Sequence, residues 1–210
     1  MITIKLLDSI SSVKKKVNKA CAEHINKTLI RKGSAFRSSV KKAVESFLMN
    51  SPELLSLTTA APDSLMGHFG LSTSQATVAA SQILDSVKDS ITIKMVKFND
   101  SLKGGIEVNV QPSNFTNLLS LGSGHLVYDK GDLHWLSWLL TFGDSIIVVG
   151  YEYNPETGLG RANLGNMVEG GSWRVPPEFS GTIQNNFITR ALVGEKQAKT
   201  IADIFRDTLE

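Results

Sequence analysis

"DLHWLSWLLTFGDSIIVVGYEYNPETGLG", residues 132–160, reads in order as helix, strand and turn. Leu133, Leu136, Leu139 and Leu140 recur at the spacing of one helical face, with Asp132 placed to cap it and Gly143 to close it. "SIIVVGYEY" (145–153) is dominated by β-branched and aromatic residues and reads as a strand, its apolar run predicting burial on both faces at its start. Asn154-Pro155-Glu156-Thr157-Gly158 has turn chemistry, with proline at the second turn position. A short helix feeding a strand and a hairpin turn points to an α+β body.

The neighbouring segments agree. "ITIKMVKF" (91–98) alternates apolar and polar residues as a half-buried strand does, and "IEVNVQ" (106–111) is its returning partner in an antiparallel hairpin. Before it, Ser72–Ser90 reads as a capped helix with Val78, Ile83, Leu84 and Val87 on its apolar side. Asn114–Leu121 holds one or two helical turns, and Asn166–Glu169 a short strand. A last helix, roughly Glu195–Leu209, offers Ala198, Ile201, Ala202 and Phe205 to the core. At the other end, Asp8–Lys32 is helical, with Ile10, Val13, Val17, Ala20, Cys21 and His24 along one side and Gly33 as a stop. Ala35–Met49 makes a second helix on Phe36, Val40, Ala43, Val44 and Phe47. The expected organisation is a helical arm, residues 1–50, preceding an α+β body, residues 51–210, built on an antiparallel sheet with packed helices.

Charge divides along the same line. The chain of 210 residues has a net charge of only +2, yet residues 1–50 hold eleven Lys/Arg against three Asp/Glu, and residues 51–210 hold eleven against seventeen. A basic arm on an acidic body invites electrostatic docking. Lys14, Lys15, Lys16, Lys19 and Lys27 are the candidate partner-binding cations. Solubility, an acidic protein partner and nucleic-acid phosphates all stay open for them. No apolar run approaches the length of a membrane span, and no secretory leader is evident, so the cytoplasm is the expected site of synthesis. Cys21 is the sole cysteine, which excludes both a disulfide framework and the cysteine-rich zinc modules.

Catalytic patterns are missing. Asp129, Asp132 and His134 fall within six residues, but Asp132 is more simply a helix cap, and no metal is expected. "GLGRANLG" (158–165) lacks both the Walker lysine and a following helix, so it reads as a hairpin tip rather than a phosphate cradle. No G-x-S-x-G elbow occurs. Neither an enzymatic activity nor a cofactor is expected.

"GGSWRVPPEFSGTIQNNFITRAL" (170–192) combines loop chemistry with large anchors, Trp173, Phe179 and Phe187. Together with "SLMGHFGLS", "ILDSVKDSITIKM", "FTNLLSL" and "WLSWLLTFGDSIIVVGYEY", it resembles the neck or tail-completion proteins of the tailed-bacteriophage head–tail junction. The likeness covers about 130 residues, from Ser64 to Leu192. It is most specific in "WRVPPEF" followed by "NFITRA". A basic helical N-terminus is a further trait of such proteins.

What the resemblance implies is a non-enzymatic virion subunit in a ring, six-fold favoured and twelve-fold open, between the portal or adaptor protein and the tail terminator or tube. Genomic DNA would pass through the channel with only non-specific contact. On this reading Trp173, Arg174, Pro176, Pro177, Phe179, Phe187 and Arg190 form a subunit interface, Trp173 and Phe179 projecting from a proline-stiffened strut. The competing role for Trp173 and Phe187 is to pin the segment to its own core. The alternative function is a small nucleic-acid-binding protein using the lysine-rich helix.

Overall fold

A forty-residue helix, α1 (Ile10–Met49), frames the computed structural model, which describes residues 8–112, 114–128, 131–157 and 160–210. Ser9 caps it, its side chain accepting from the Ser12 N–H at 3.2 Å. The expected stop at Gly33 is corrected: the helix runs straight through. A single interior glycine costs only about 1 kcal/mol relative to alanine, and here it provides clearance. A Cβ on Gly33 would lie 2.9 Å from Met95 Cε, so the glycine lets a strand lie against the helix.

Three short-spaced helices follow, each started by a serine. Ser51 caps α2 (Pro52–Thr58), Ser64 caps α3 (Leu65–Phe69), and Ser72 forms a capping box with Gln75 on α4 (Thr73–Ser90). Gly70, at φ 64°, closes α3 in the left-handed conformation that glycine adopts without strain. Val40, Val44 and Leu48 of α1 are buried with Leu54, Leu57, Leu65, Met66, Phe69, Ala76, Ile83 and Val87. Each such large side chain withdrawn from water is worth about 1.5–3 kcal/mol. Lys88 of α4 adds a polar link, 3.1 Å from Glu45 of α1.

This packing corrects the expected boundary at residue 50. Phe36, Val40, Val44 and Leu48 belong to the same core as the body, because α1 packs along α2, α4 and the two C-terminal helices. Only the first turns project: no described residue from Asp8 to Cys21 is buried.

The described strands pair antiparallel, as expected, but in three separate two-stranded ribbons instead of one sheet. β1 (Thr92–Val96) pairs with β2 (Gly105–Asn109), and its half-buried Ile93 and Met95 alternate with exposed neighbours. After α5 (Thr116–Leu119) and a tight turn at Gly122–Gly124, β3 (Leu126–Tyr128) pairs with β4 (Gly131–Leu133). α6 (Trp135–Leu140) follows directly, burying Trp135, Leu136, Leu139 and Leu140.

β5 (Val148–Asn154) pairs with β6 (Asn166–Trp173). Val148 and Val149 are exposed, so the expected burial of the strand's start on both faces is overturned. The pair Gly170-Gly171 lies inside β6, where two residues oppose Gly150 in a bulge; all three glycines have positive φ. The chain ends with α7 (Phe187–Leu192) and α8 (Glu195–Leu209). On α8 the core face is Ile201, Ile204 and Phe205, whereas Ala198 and Ala202 are exposed. Phe205 meets Phe36 edge-on, with ring centroids 6.1 Å apart.

Candidate docking surfaces and a histidine–aspartate cluster

The segment expected to be a projecting strut is folded back onto its own body. Trp173 ends β6 and is only 8% exposed, while Val175 and Phe187 are fully buried. Pro176 does not stiffen an extended arm: its carbonyl accepts from the N–H groups of Phe179 (2.9 Å) and Ser180 (3.1 Å), making a tight turn. Phe179 packs half-buried against the core, and Pro176 is half-buried. Arg174 and Pro177 face outward; Arg174 has no side-chain partner among the described residues, and the Pro177 carbonyl accepts from the Ser180 hydroxyl at 3.0 Å.

Two devices sew the segment down. Gly181 accepts from the Gly143 N–H at 2.9 Å, and its missing Cβ leaves room for the Leu139 carbonyl. Asn186, completely buried, caps α7 through Thr189 N–H (3.1 Å) and donates to the carbonyls of Thr182 (2.8 Å) and Leu140 (3.3 Å). Arg190 donates to Asn185 Oδ1 at 3.0 Å and pairs with the buried carboxylate of Glu53. Its partner is therefore on its own fold.

Trp173 also lines a cleft of about 320 Å³ between α3 and the two neighbouring ribbons, with His68, Tyr128, Tyr153, Arg161 and Met167. Arg161 lies over the Tyr128 ring, 5.4 Å from its centroid. Tyr153 donates to the Pro62 carbonyl and stacks 4.2 Å from His68. Burial lowers the His68 pKa to about 4, against a weaker upward pull from Glu178 and Asp63. The indole N–H of Trp173 and Nδ1 of His68 find no partner among the described residues.

Of the candidate basic arm, Lys14, Lys15, Lys16 and Lys19 lie on the projecting end of α1, and Lys27 lies beside the buried Thr28. Lys14, Lys15, Lys16, Lys19 and Lys27 are all exposed. Lys16 reaches Asp8 at 2.7 Å, an exposed pair of little energetic weight. Between the lysines runs an exposed apolar stripe: Ile10 is 82% exposed, and Val13 and Val17 are exposed with it. At 3.6 residues per turn this stripe lies on a different side of the helix from Leu29, Phe36 and Val40, which the body buries.

The third feature is polar. In the β3–β4 register Leu126 faces Leu133 and Val127 faces Asp132. Extending that register by one places His125 opposite His134. Alternation then sends Leu126 and Leu133 inward, where both are buried, and leaves His125, Asp132 and His134 on the outer face. Asp132 Oδ2 lies 3.0 Å from His134 Nε2 and 3.6 Å from His125 Nδ1, and the two rings stack with centroids 3.7 Å apart. The sequence assignment of Asp132 as a helix cap is thus overturned. Residue 134 occupies that position, with no side-chain cap bond. Asp129 lies outside the described residues, as does the start of the 158–165 stretch. His125 was missed as a member, although the mirrored "HLVYDKGDLH" of residues 125–134 signals a hairpin with histidines facing each other at its open end.

No family model, no curated protein and no solved structure matches the chain. Among the described residues no helix is long and apolar enough to cross a membrane.

Proposed function

We propose that the protein is a non-enzymatic structural subunit of a tailed-phage head–tail junction, one of a ring of identical copies joining the portal or adaptor to the tail. The observation that carries this reading is apolar surface left in water on two separate elements. One is the Ile10, Val13, Val17 stripe on α1; the other is the β5–β6 ribbon, where Val149 is 77% exposed and Ile146 is exposed beside it. Patches of this kind mark protein–protein contacts. Two different patches on one chain suit a heterologous contact, in which one surface of each copy meets another surface of the next and the ring closes by rotation. The charge split acts in the same sense, since a basic arm is attracted to the acidic body of a neighbour. The sequence likeness over residues 64–192 supplies the location, the virion neck, and the expectation of six copies.

Particle imaging with the variants Val17→Glu and Val149→Glu tests this. Both positions are exposed, so folding should change by no more than about 0.5 kcal/mol. Incorporation into necks should fall sharply for each. Wild-type incorporation of both variants, or particles lacking the protein in the neck, overturns the reading. The exposed lysines favour one alternative, nucleic-acid binding. Tight association of the isolated protein with duplex DNA, weakening steeply with salt, would select it instead.

A further inference from the structure

We propose that His125, Asp132 and His134 form a binding site for one divalent transition-metal ion of the zinc class. The inference is independent of the ring reading. It rests on the convergence of three ligand atoms, all within 4.8 Å of one another, on the outer face of the β3–β4 hairpin. A zinc ion holds nitrogen and carboxylate oxygen at about 2.0–2.2 Å, so neighbouring ligand atoms in its tetrahedral shell sit roughly 3.3–3.6 Å apart. The separations of Asp132 Oδ2 from the two imidazole nitrogens, 3.0 and 3.6 Å, lie within a few tenths of an ångström of that spacing. Closing the histidine nitrogens around an ion then needs only rotation of two rings that are already in contact.

The donor set selects the ion. Two imidazoles and one carboxylate suit zinc and its borderline neighbours, whereas calcium and magnesium take shells of oxygen. One carboxylate offsets half of the ion's charge. Three protein ligands leave at least a fourth position, and the exposure of Asp132 and His134 opens it to water.

The backbone carrying the ligands is anchored on both sides of the cluster. Leu126 and Leu133, which alternate with the ligands, are anchored in the core. Trp135, next to His134, is fully buried and donates its indole N–H to the Ser123 carbonyl at 3.0 Å, two residues before His125. That bond ties the two ends of the hairpin together beneath the cluster. A site mounted on locked elements loses little entropy when it closes on its ligand. Both histidines address a single carboxylate oxygen, Asp132 Oδ2, so the three donor groups already converge on one point.

The test is titration of the full chain with zinc and, for its visible spectrum, cobalt, with Cys21→Ser as the background. Cys21 is an exposed thiol one helical turn from His24 and would otherwise compete. Expected are one ion bound per chain, a rise in unfolding temperature that a chelator reverses, and a cobalt spectrum with nitrogen and oxygen ligands. His125→Ala, Asp132→Asn and His134→Ala should each weaken binding by more than about tenfold, and His24→Ala should leave it unchanged. Circular dichroism establishes that each variant is folded, which the outward placement of all three side chains favours. Absence of saturable binding, or binding that survives His125→Ala and His134→Ala, overturns the proposal.

Discussion

Arg190 of α7 reaches across the fold to Glu53, in the first turn of α2, and pairs with a carboxylate that is 2% exposed. The second oxygen of Glu53 has no partner among the described residues, so the guanidinium is the main compensation for that buried group. Removing one member of such a pair leaves an uncompensated charge, which costs about 3–5 kcal/mol. Arg190→Ala should lower folding stability by that amount in a denaturant titration. Glu53→Gln in the same chain should restore a large part of it. Equal stability of wild type and Arg190→Ala would return Arg190 to the list of residues free to meet a partner.

Trp173 makes the corresponding prediction for the aromatic anchors. It packs against the chain's own core at the end of β6, so Trp173→Ala should cost about 3–5 kcal/mol in folding. Thermal unfolding of the purified subunit reads this directly. A loss below about 1 kcal/mol, combined with failed assembly, would restore Trp173 to the subunit interface. Arg174 differs: exposed and without a described partner, it should change stability little when replaced by alanine.

The longer helices were legible because their signals are local, whereas the short α2 and α3 were not. Ser72 announces α4, and the spacing of Phe36, Val40 and Val44 shows which face of α1 is buried. Gly33 misled because a glycine that ends a helix and one that admits Met95 look alike in sequence. The 170–192 stretch misled for a related reason. Its glycine pair serves a strand bulge, and its anchoring depends on Asn186, whose partners Leu140 and Thr182 come together only in the fold. Asp132 shows the same limit, since its role depends on His125 seven residues upstream across a hairpin.

His68 couples stability to acid. Its pKa is lowered from 6.5 to about 4, chiefly by burial, so the folded chain holds it neutral where the unfolded chain would protonate it. Stability from this group is fully present above pH 6.5 and is lost as pH falls from there towards about 4. The complete loss is worth roughly 3 kcal/mol, at about 1.4 kcal/mol per pKa unit. Denaturant titrations across this range should show a shallower acid slope for His68→Gln than for wild type. Identical slopes would mean that the imidazole is accessible to protons in the folded state.

Asn26 holds the β1–β2 ribbon to α1 through the backbone of Phe98. Its Oδ1 accepts from the Phe98 N–H at 2.9 Å, and its Nδ2 donates to the Phe98 carbonyl at 3.0 Å. Only one orientation of the amide satisfies both bonds, so the side chain reads the direction of the strand end as well as its position. The strands themselves cannot do this, because a two-stranded ribbon is marginal alone and needs a helix to lie on. Asn26→Ala should therefore cost about 1–3 kcal/mol and, more tellingly, speed hydrogen exchange at the Phe98 amide. Asn26→Asp separates the two bonds. Its carboxylate can still accept from the N–H, but its second oxygen opposes the Phe98 carbonyl where a donor is required. The aspartate variant should retain part of the protection at the Phe98 amide while losing stability overall. Exchange at Phe98 that is unchanged in both variants would show that Gly33 and Met95 suffice to seat the ribbon, with Asn26 contributing nothing.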